Sequence, residues 1–403
     1  MSNSRHILLI ASLLGIFCSH ADAQFKPTRI ASFDSPIEAR RFTGGREVQL
    51  SEDGKTMIAA FYGSAAQLFE LQTFAAIGEP IRTAGDGEVG FVNNEIAYTA
   101  DWDSLRFWDC KTGQILGDPI RHELREDTII PPAVSPQGNL IATRATIKSV
   151  EIFNVSTFER IGVELKDSAD VRSIQFSANG ELLLVAAGRS LYAIDTSTGK
   201  NVEGPIESGW LFRYFSKQQR LLTTEQEDGI DWLVIRATDQ KGWPVTYRSR
   251  LPGRLKKVIS LDDDRLLLQA TKSDYAPAMF IFSLDDPESR VEVESEADRA
   301  FGVVVPQEEE HWICSNIRDI SCYRLGESKP IWRKPVPPSG YDLRLFPFDN
   351  EHFIVVDKQE NFGVYKIADG ERVWNQTGVK EFRLSQNRIV FCRSDGVEVW
   401  SLN

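Results

Sequence analysis

The chain has few of the residues that most often carry chemistry. Its 403 residues include 5 cysteines, 5 histidines and 3 methionines, so metal and thiol sites are restricted from the start. No histidine sits at metal-ligand spacing from a cysteine or another histidine. A Gly-x-Ser-x-Gly elbow, a P-loop and a Gly-x-Gly-x-x-Gly opening a helix are all missing, which removes the motifs of the common hydrolases, NTPases and dinucleotide enzymes. Positive charge is in the minority: Lys+Arg is 46 against Asp+Glu 58, for a net charge of −12. That balance excludes a general nucleic-acid binder, which needs a basic surface to replace phosphate counterions. Beyond the first segment no run approaches the ~20 apolar residues of a membrane-spanning helix. No stretch sustains an i, i+3, i+4, i+7 stripe beyond two turns, so helices are not the building unit. With 42% hydrophobic and 26% charged residues, the composition is that of a folded globular protein and not of a disordered chain.

The first segment reads as targeting. Arg5 and His6 precede the apolar run Ile7–Phe17, and Ala21-Asp22-Ala23 offers small residues at the −3 and −1 positions of a signal-peptidase site. A leader over residues 1–23, cleavage after Ala23 and a secreted or periplasmic location are expected. Cys18 invites lipidation, but lipid attachment wants a small residue directly before the cysteine and Phe17 stands there. Residues 24–403 then form the folded part, and an exported compartment permits disulfides.

Internal repetition dominates this part. A five-residue pattern, apolar-x-apolar-aromatic (or Ile) followed usually by a polar residue, occurs nine times: Ala66–Glu70, Leu105–Asp109, Val150–Asn154, Leu191–Asp195, Trp232–Arg236, Met279–Ser283, Ile320–Arg324, Phe362–Lys366 and Val397–Ser401. Successive copies begin 35 to 47 residues apart. A short β-type run precedes each copy, and a polar turn such as Ser51-Glu52-Asp53-Gly54 or Ser177-Ala178-Asn179-Gly180 precedes that. The early units end in a tail, as in Gly78-Glu79-Pro80-Ile81 and Gly117-Asp118-Pro119-Ile120. One unit therefore holds four strands of ~5–6 residues. A small sheet with two apolar faces is unstable alone, and packing such sheets face to face around an axis buries both faces of each. The expected fold is all-β: a single β-propeller of four-stranded antiparallel blades, with nine units counted and 7–9 blades plausible. The Trp232 and Met279 units are the weakest. The last unit stops after its third strand, and Arg29–Phe33 is the candidate to complete it and close the ring.

The pattern Phe-Ser-x-x-Gly, an apolar run, then Leu105-Arg106-Phe107-Trp108-Asp109-x-x-Thr112-Gly113 resembles the WD40 repeat. The units ending at Asp109, Asn154 and Asp195 match best. The Gly-His dipeptide of that family is missing from every unit, so its buried His–Asp network has no counterpart. Tyr365-Lys366-Ile367-Ala368-Asp369-Gly370-Glu371-Arg372-Val373-Trp374 is similar to the repeat of quinoprotein-like (PQQ-like) propellers, and Lys329-Pro330-Ile331-Trp332 is a weaker echo. The resemblance implies a propeller and leaves function open, because both families are mostly scaffolds and fold does not fix activity.

Few residues are candidates for a site. Cys314 and Cys322 flank a hairpin whose turn centres on Arg318, and counting outward sets them opposite each other on adjacent strands, where a disulfide is within reach. Arg248, Arg250, Arg254, Lys256 and Lys257 make a basic stretch in an acidic protein, expected on a loop between two blades, where it is a partner contact or a solvated loop balancing Asp262-Asp263-Asp264. Trp102 and Trp243, if exposed, are interface anchors. Acidic turns between second and third strands share one face of the ring without the spacing of a calcium loop. No catalytic, cofactor-binding or metal-ligating residue is assigned, and no cofactor is expected.

Two functions follow. The leading one is a non-catalytic exported scaffold, a monomer, binding a protein or peptide through a propeller face. The alternative is a propeller enzyme of quinoprotein or lactonase-like type with its site at the central channel. An outer-membrane assembly scaffold of the BamB type has a comparable number of units, but such proteins are lipid-anchored and Phe17-Cys18 speaks against that here.

Overall fold

The structure is a computed structural model. The structure describes residues 25–33, 45–61, 65–83, 87–101, 103–121, 130–163, 165, 169–207, 212–215, 217–228, 230–260, 265–272, 277–293, 300–304, 311–316, 319–324, 327–335, 343–385 and 387–402. The leader expected over residues 1–23, Trp102 and Asp262–Asp264 lie outside these.

Strand β1 (Thr28–Phe33) comes first. Blade 1 is β2 (Gly45–Leu50), β3 (Thr56–Phe61), β4 (Ala65–Glu70) and β5 (Ala76–Arg82). Blade 2 is β6 (Glu88–Phe91), β7 (Ile96–Ala100), β8 (Ser104–Asp109) and β9 (Ile115–Arg121). Blade 3 is β10 (Ala133–Val134), β11 (Leu140–Thr146), β12 (Ser149–Asn154) and β13 (Arg160–Gly162). Blade 4 is β14 (Val171–Phe176), β15 (Leu182–Ala187), β16 (Ser190–Asp195) and β17 (Asn201–Glu207). Blade 5 is β18 (Phe212–Phe215), β19 (Arg220–Glu227), β20 (Ile230–Ala237) and β21 (Val245–Arg250). Blade 6 is β22 (Gly253–Ser260), β23 (Arg265–Lys272), β24 (Pro277–Ser283) and β25 (Arg290–Val293). Blade 7 is β26 (Ala300–Val304), β27 (His311–Asn316), β28 (Asp319–Arg324) and β29 (Pro330–Pro335). Blade 8 is β30 (Arg344–Pro347), β31 (His352–Val356), β32 (Phe362–Lys366) and β33 (Arg372–Gln376). Blade 9 is β34 (Glu381–Ser385), β35 (Arg388–Arg393) and β36 (Gly396–Ser401), with β1 paired on β36 as its fourth strand.

Nine four-stranded antiparallel sheets make a nine-bladed β-propeller. The Trp232 and Met279 units form complete blades, 5 and 6. First strands adjoin first strands of neighbouring blades, as β2 does with β6 and β34, so they line the centre and the fourth strands form the rim.

The pattern of burial explains the sequence. In β3 all six residues are buried. Met57, Ala59 and Phe61 pack towards blade 9, while Ile58 and Ala60 pack towards blade 2. A strand covered on both faces reads as a continuous apolar run, whereas the rim strand β5 keeps most of its residues exposed or half-exposed. Nine hydrophobic clusters fill the nine seams among the described residues, one per pair of neighbouring blades. The cluster joining blade 9 to blade 1 contains Val390, Cys392, Val397 and Val399 with Val48, Met57 and Phe61, so no seam is left open.

Local chemistry sets the turns. The serine opening the first turn of blades 1, 3 and 4 accepts the backbone N–H where the chain re-enters the sheet: Thr56 N to Ser51 Oγ at 2.9 Å, and Leu140 and Leu182 to Ser135 and Ser177 at 3.0 Å. At the end of the third strand, Asp109 accepts from the N–H groups of Lys111 and Thr112, and Asp195 from those of Ser197 and Thr198. These bonds hold both carboxyls below their ordinary range, with the Thr112 N–H the largest cause at Asp109 and the Ser197 hydroxyl at Asp195.

The sequence expectation for Cys314 and Cys322 is corrected. Cys314 pairs with Ser321, and Cys322 pairs with Ile313. The connection between β27 and β28 is one residue shorter than the sequence count assumed, and a one-residue shift turns the two side chains to opposite faces. Cys314 packs with Trp312 and Tyr323 towards blade 6, and Cys322 with Leu343 and Phe353 towards blade 8. Neither is in a disulfide and both are buried, as are Cys110 and Cys392. Burial pushes the Cys110 and Cys314 thiols up to about 12, so neither is a nucleophile at neutral pH.

Candidate functional site

The five-residue motif places its second residue on the third strand of each blade. In blades 1, 3 and 9 a polar side chain at this position reaches out to the fourth strand. Gln67 donates to Ile77 O at 2.9 Å, Glu151 accepts from Arg160 at 2.8 Å, and Glu398 accepts from Arg29 of the rim strand at 2.7 Å. Blade 8 alone has glycine there, Gly363. Beside it lies a cavity of about 460 Å³ lined by Leu343, Val355, Asp357, Gln359, Asn361, Phe362, Gly363, Tyr365, Arg372, Asn375 and Gln376.

The cavity lies at the end of blade 8 that carries the turn between β31 and β32. Val355 is opposite Gly363 on β31, and Asn375 is opposite it on β33, so one residue level supplies the floor across three strands. A Cβ at position 363 would meet Tyr365 Cε2 at 2.6 Å, which shows how closely the Tyr365 ring lies over the glycine. Tyr365 stacks on Phe353 with 5.5 Å between ring centroids, and burial raises its phenol above the ordinary value.

The wall is held by its own turn. Asp357 Oδ1 accepts the N–H groups of Gln359 and Asn361 at 2.9 Å each, and its Oδ2 accepts from Asn361 Nδ2 at 2.8 Å. Asp357 is 7% exposed, so this carboxylate organises the turn instead of facing a ligand. Gln376 Oε1 accepts from Arg393 Nη2 of blade 9 at 3.0 Å, which braces the outer wall. What remains towards the opening is a set of carboxamides with a phenol and a guanidinium. Each carboxamide both donates and accepts, the same pair of functions that a peptide group presents.

The residues singled out from sequence are scattered. Trp243 is 4% exposed and packs with Leu184, Ile206 and Leu221; it fills the seam between blades 4 and 5 and is not an exposed anchor. The basic stretch is not a loop, because only Leu251 and Pro252 separate β21 from β22. Arg248 and Arg250 lie on the rim strand β21, where Arg248 pairs with Glu227 at 2.8 Å and covers the Trp232 ring at 4.4 Å. Arg254, Lys256 and Lys257 lie on the central strand β22; of the Lys257 side chain nothing is described. Sequence reasoning missed the blade 8 cavity. The signal was present, since Gly363 is the one glycine at the second position of nine motifs.

No family model matches the chain, and no curated protein matches it. Solved structures share its architecture. BamB from Moraxella catarrhalis is 11% identical, with 93% of this chain and 100% of that chain covered and a TM-score of 0.51. A eukaryotic initiation factor is 12% identical over 85% of this chain and 90% of its own, with a TM-score of 0.62. The dihydro-heme d1 dehydrogenase NirN is 12% identical over 73% and 67%, with a TM-score of 0.51. Likeness at this identity is a likeness of fold alone.

Proposed function

We propose that the chain is a non-catalytic exported scaffold that binds a protein or peptide segment on the propeller face carrying the β31–β32 turn, with the blade 8 cavity as its contact. The cavity's lining carries this reading. Carboxamides on a braced turn suit hydrogen bonding to a peptide backbone. The lining residues include no serine, cysteine, histidine or lysine, and their one carboxylate, Asp357, is committed to the N–H groups and carboxamide of its own turn. Site-specific photocrosslinking from Asn375 in the native host, followed by mass spectrometry, tests it. One partner should be captured, and Gly363→Leu or Asn361→Ala should abolish the capture while the fold, followed by circular dichroism, is retained. Capture that is indifferent to both variants would refute the site.

Export rests on the Ile7–Phe17 run and the Ala21-Asp22-Ala23 sequence. Mature protein recovered from the host should begin at Gln24; an intact Met1 terminus would refute cleavage.

A further inference from the structure

Central strands are flanked on both faces by neighbouring blades. A side chain exposed on such a strand therefore faces the channel or its mouth. Arg213 on β18 and Arg254 and Lys256 on β22 are exposed, and Arg172 on β14 is half-buried. Three consecutive blades, 4 to 6, thus present cations to the centre of a protein whose net charge is −12. Among the described residues, none forms an ion pair with Arg213, Arg254 or Lys256. The far side of the channel is different. There Arg383 of β34 donates to Glu381 at 2.6 Å and to Gln49 of β2 at 3.0 Å, and Gln49 donates to Glu47 at 2.9 Å. Charges of blades 9 and 1 satisfy one another, whereas Arg213 of blade 5 and Arg254 and Lys256 of blade 6 have no such partner among the described residues.

A second observation lies at the edge of this arc. Arg144 of β11 is 5% exposed. Its Nη1 donates to Val171 O of β14 at 3.0 Å, one residue from Arg172. Its Nε and Nη2 are buried without a hydrogen-bond partner. Burial lowers the Arg144 guanidinium below its ordinary value, with the nearby Asp170 opposing. A buried cation with unused N–H groups is costly unless an anion completes it, and a planar guanidinium fork matches a carboxylate.

We propose that Arg144, Arg172, Arg213, Arg254 and Lys256 form a binding arc in the channel for an acidic peptide segment, recognised through its carboxylates. The proposal deepens the peptide-binding reading and rests on it for the nature of the ligand, but it names a contact separate from the blade 8 cavity. The surrounding negative charge repels anions from the rest of the surface, so the arc is selective as well as attractive.

Fluorescence anisotropy with a labelled hexaglutamate peptide tests this on the mature chain. Hexaglutamate should bind, more weakly as salt rises, and hexalysine should not bind at this arc. The triple variant Arg213→Ala/Arg254→Ala/Lys256→Ala should weaken hexaglutamate by about 10-fold or more. Arg144→Met should weaken it too, with Arg144→Lys intermediate. Gly363→Leu should leave it unchanged, so a failure of the blade 8 site and a failure of the arc are told apart. Absence of hexaglutamate binding, equal affinity in the triple variant, or equally effective competition by a phosphate-bearing oligonucleotide would overturn the proposal.

Discussion

Blades 1 to 4 and blades 7 to 8 close the same gap by different means. Between blades 1 and 2 glycines let the rim strand and the next blade's turn approach backbone to backbone, while between blades 2 and 3 Gly117 faces the Phe158 ring. A Cβ on Gly78 would lie 2.7 Å from Gly113 Cα, and both glycines have φ of 68°. Between blades 3 and 4 only the turn glycine is required, because a Cβ on Gly199 would clash with Gly162 O whereas one on Gly162 would meet nothing within 4 Å. In the late blades an aromatic side chain spans the gap. Trp332 of β29 covers Gly370 and donates its indole N–H to Ile367 O at 2.7 Å. The backbone contact needs glycine, and the indole contact needs Trp. The sequence therefore changes character along the chain although the blades stay alike. The two family likenesses legible in the repeats are two packing solutions within one ring.

Breaking the early solution should have the larger effect. Gly113→Val combines a left-handed backbone with a close backbone approach, and a loss of ~3 kcal/mol is expected, read as a lower midpoint in urea unfolding. A midpoint equal to wild type would show that the glycine contact is incidental. Trp332→Ala, in the late solution, removes a half-buried ring and its hydrogen bond and should cost ~2 kcal/mol. Trp332→Phe keeps the ring and should cost about half of that; equal losses from the two variants would assign the whole effect to the N–H.

The closing seam follows neither solution. Glu398 accepts from Arg29 of β1 at 2.7 Å, from Arg393 at 2.6 Å and from Trp400 at 3.0 Å. Burial pushes its carboxyl up, but the bonds from Arg29, Trp400 and Arg393 together hold it below the ordinary 4.5. A carboxyl lowered on folding contributes stability that is full above 4.5 and is lost as pH falls through its folded value. Glu398→Gln should cost ~1 kcal/mol at pH 7 and flatten the decline below pH 4.5. An unchanged acid limb would contradict this role. The smallest effect concerns blade 7, where reductant should leave the melting temperature unchanged because Cys314 and Cys322 face different seams. A fall on reduction would restore the disulfide.

How much of this was legible follows from what each feature depends on. The blades were readable because strands buried on both faces need unbroken apolar runs, as in Met57–Phe61 and Leu182–Ala187, and the turns between them need serine, glycine and asparagine. Register was less readable, since the one-residue difference at the β27–β28 connection leaves no compositional trace yet separates Cys314 from Cys322. Exposure depends on neighbours distant in sequence, so Trp243 looked like an anchor and is core. The split of the basic stretch between rim and centre depends on Leu251-Pro252 being the whole connection. Gly363 was visible as a letter, but its meaning required knowing that Gln67, Glu151 and Glu398 at the equivalent positions reach to the fourth strand.

The central claim is a closed ring in which β1 completes blade 9. Hydrogen–deuterium exchange on the intact protein tests it most directly. Amides of Val397–Ser401 should exchange as slowly as those of β35, with protection extending into Thr28–Phe33. Unprotected exchange over Thr28–Phe33, together with rim-like exchange in β36, would contradict the closed ring.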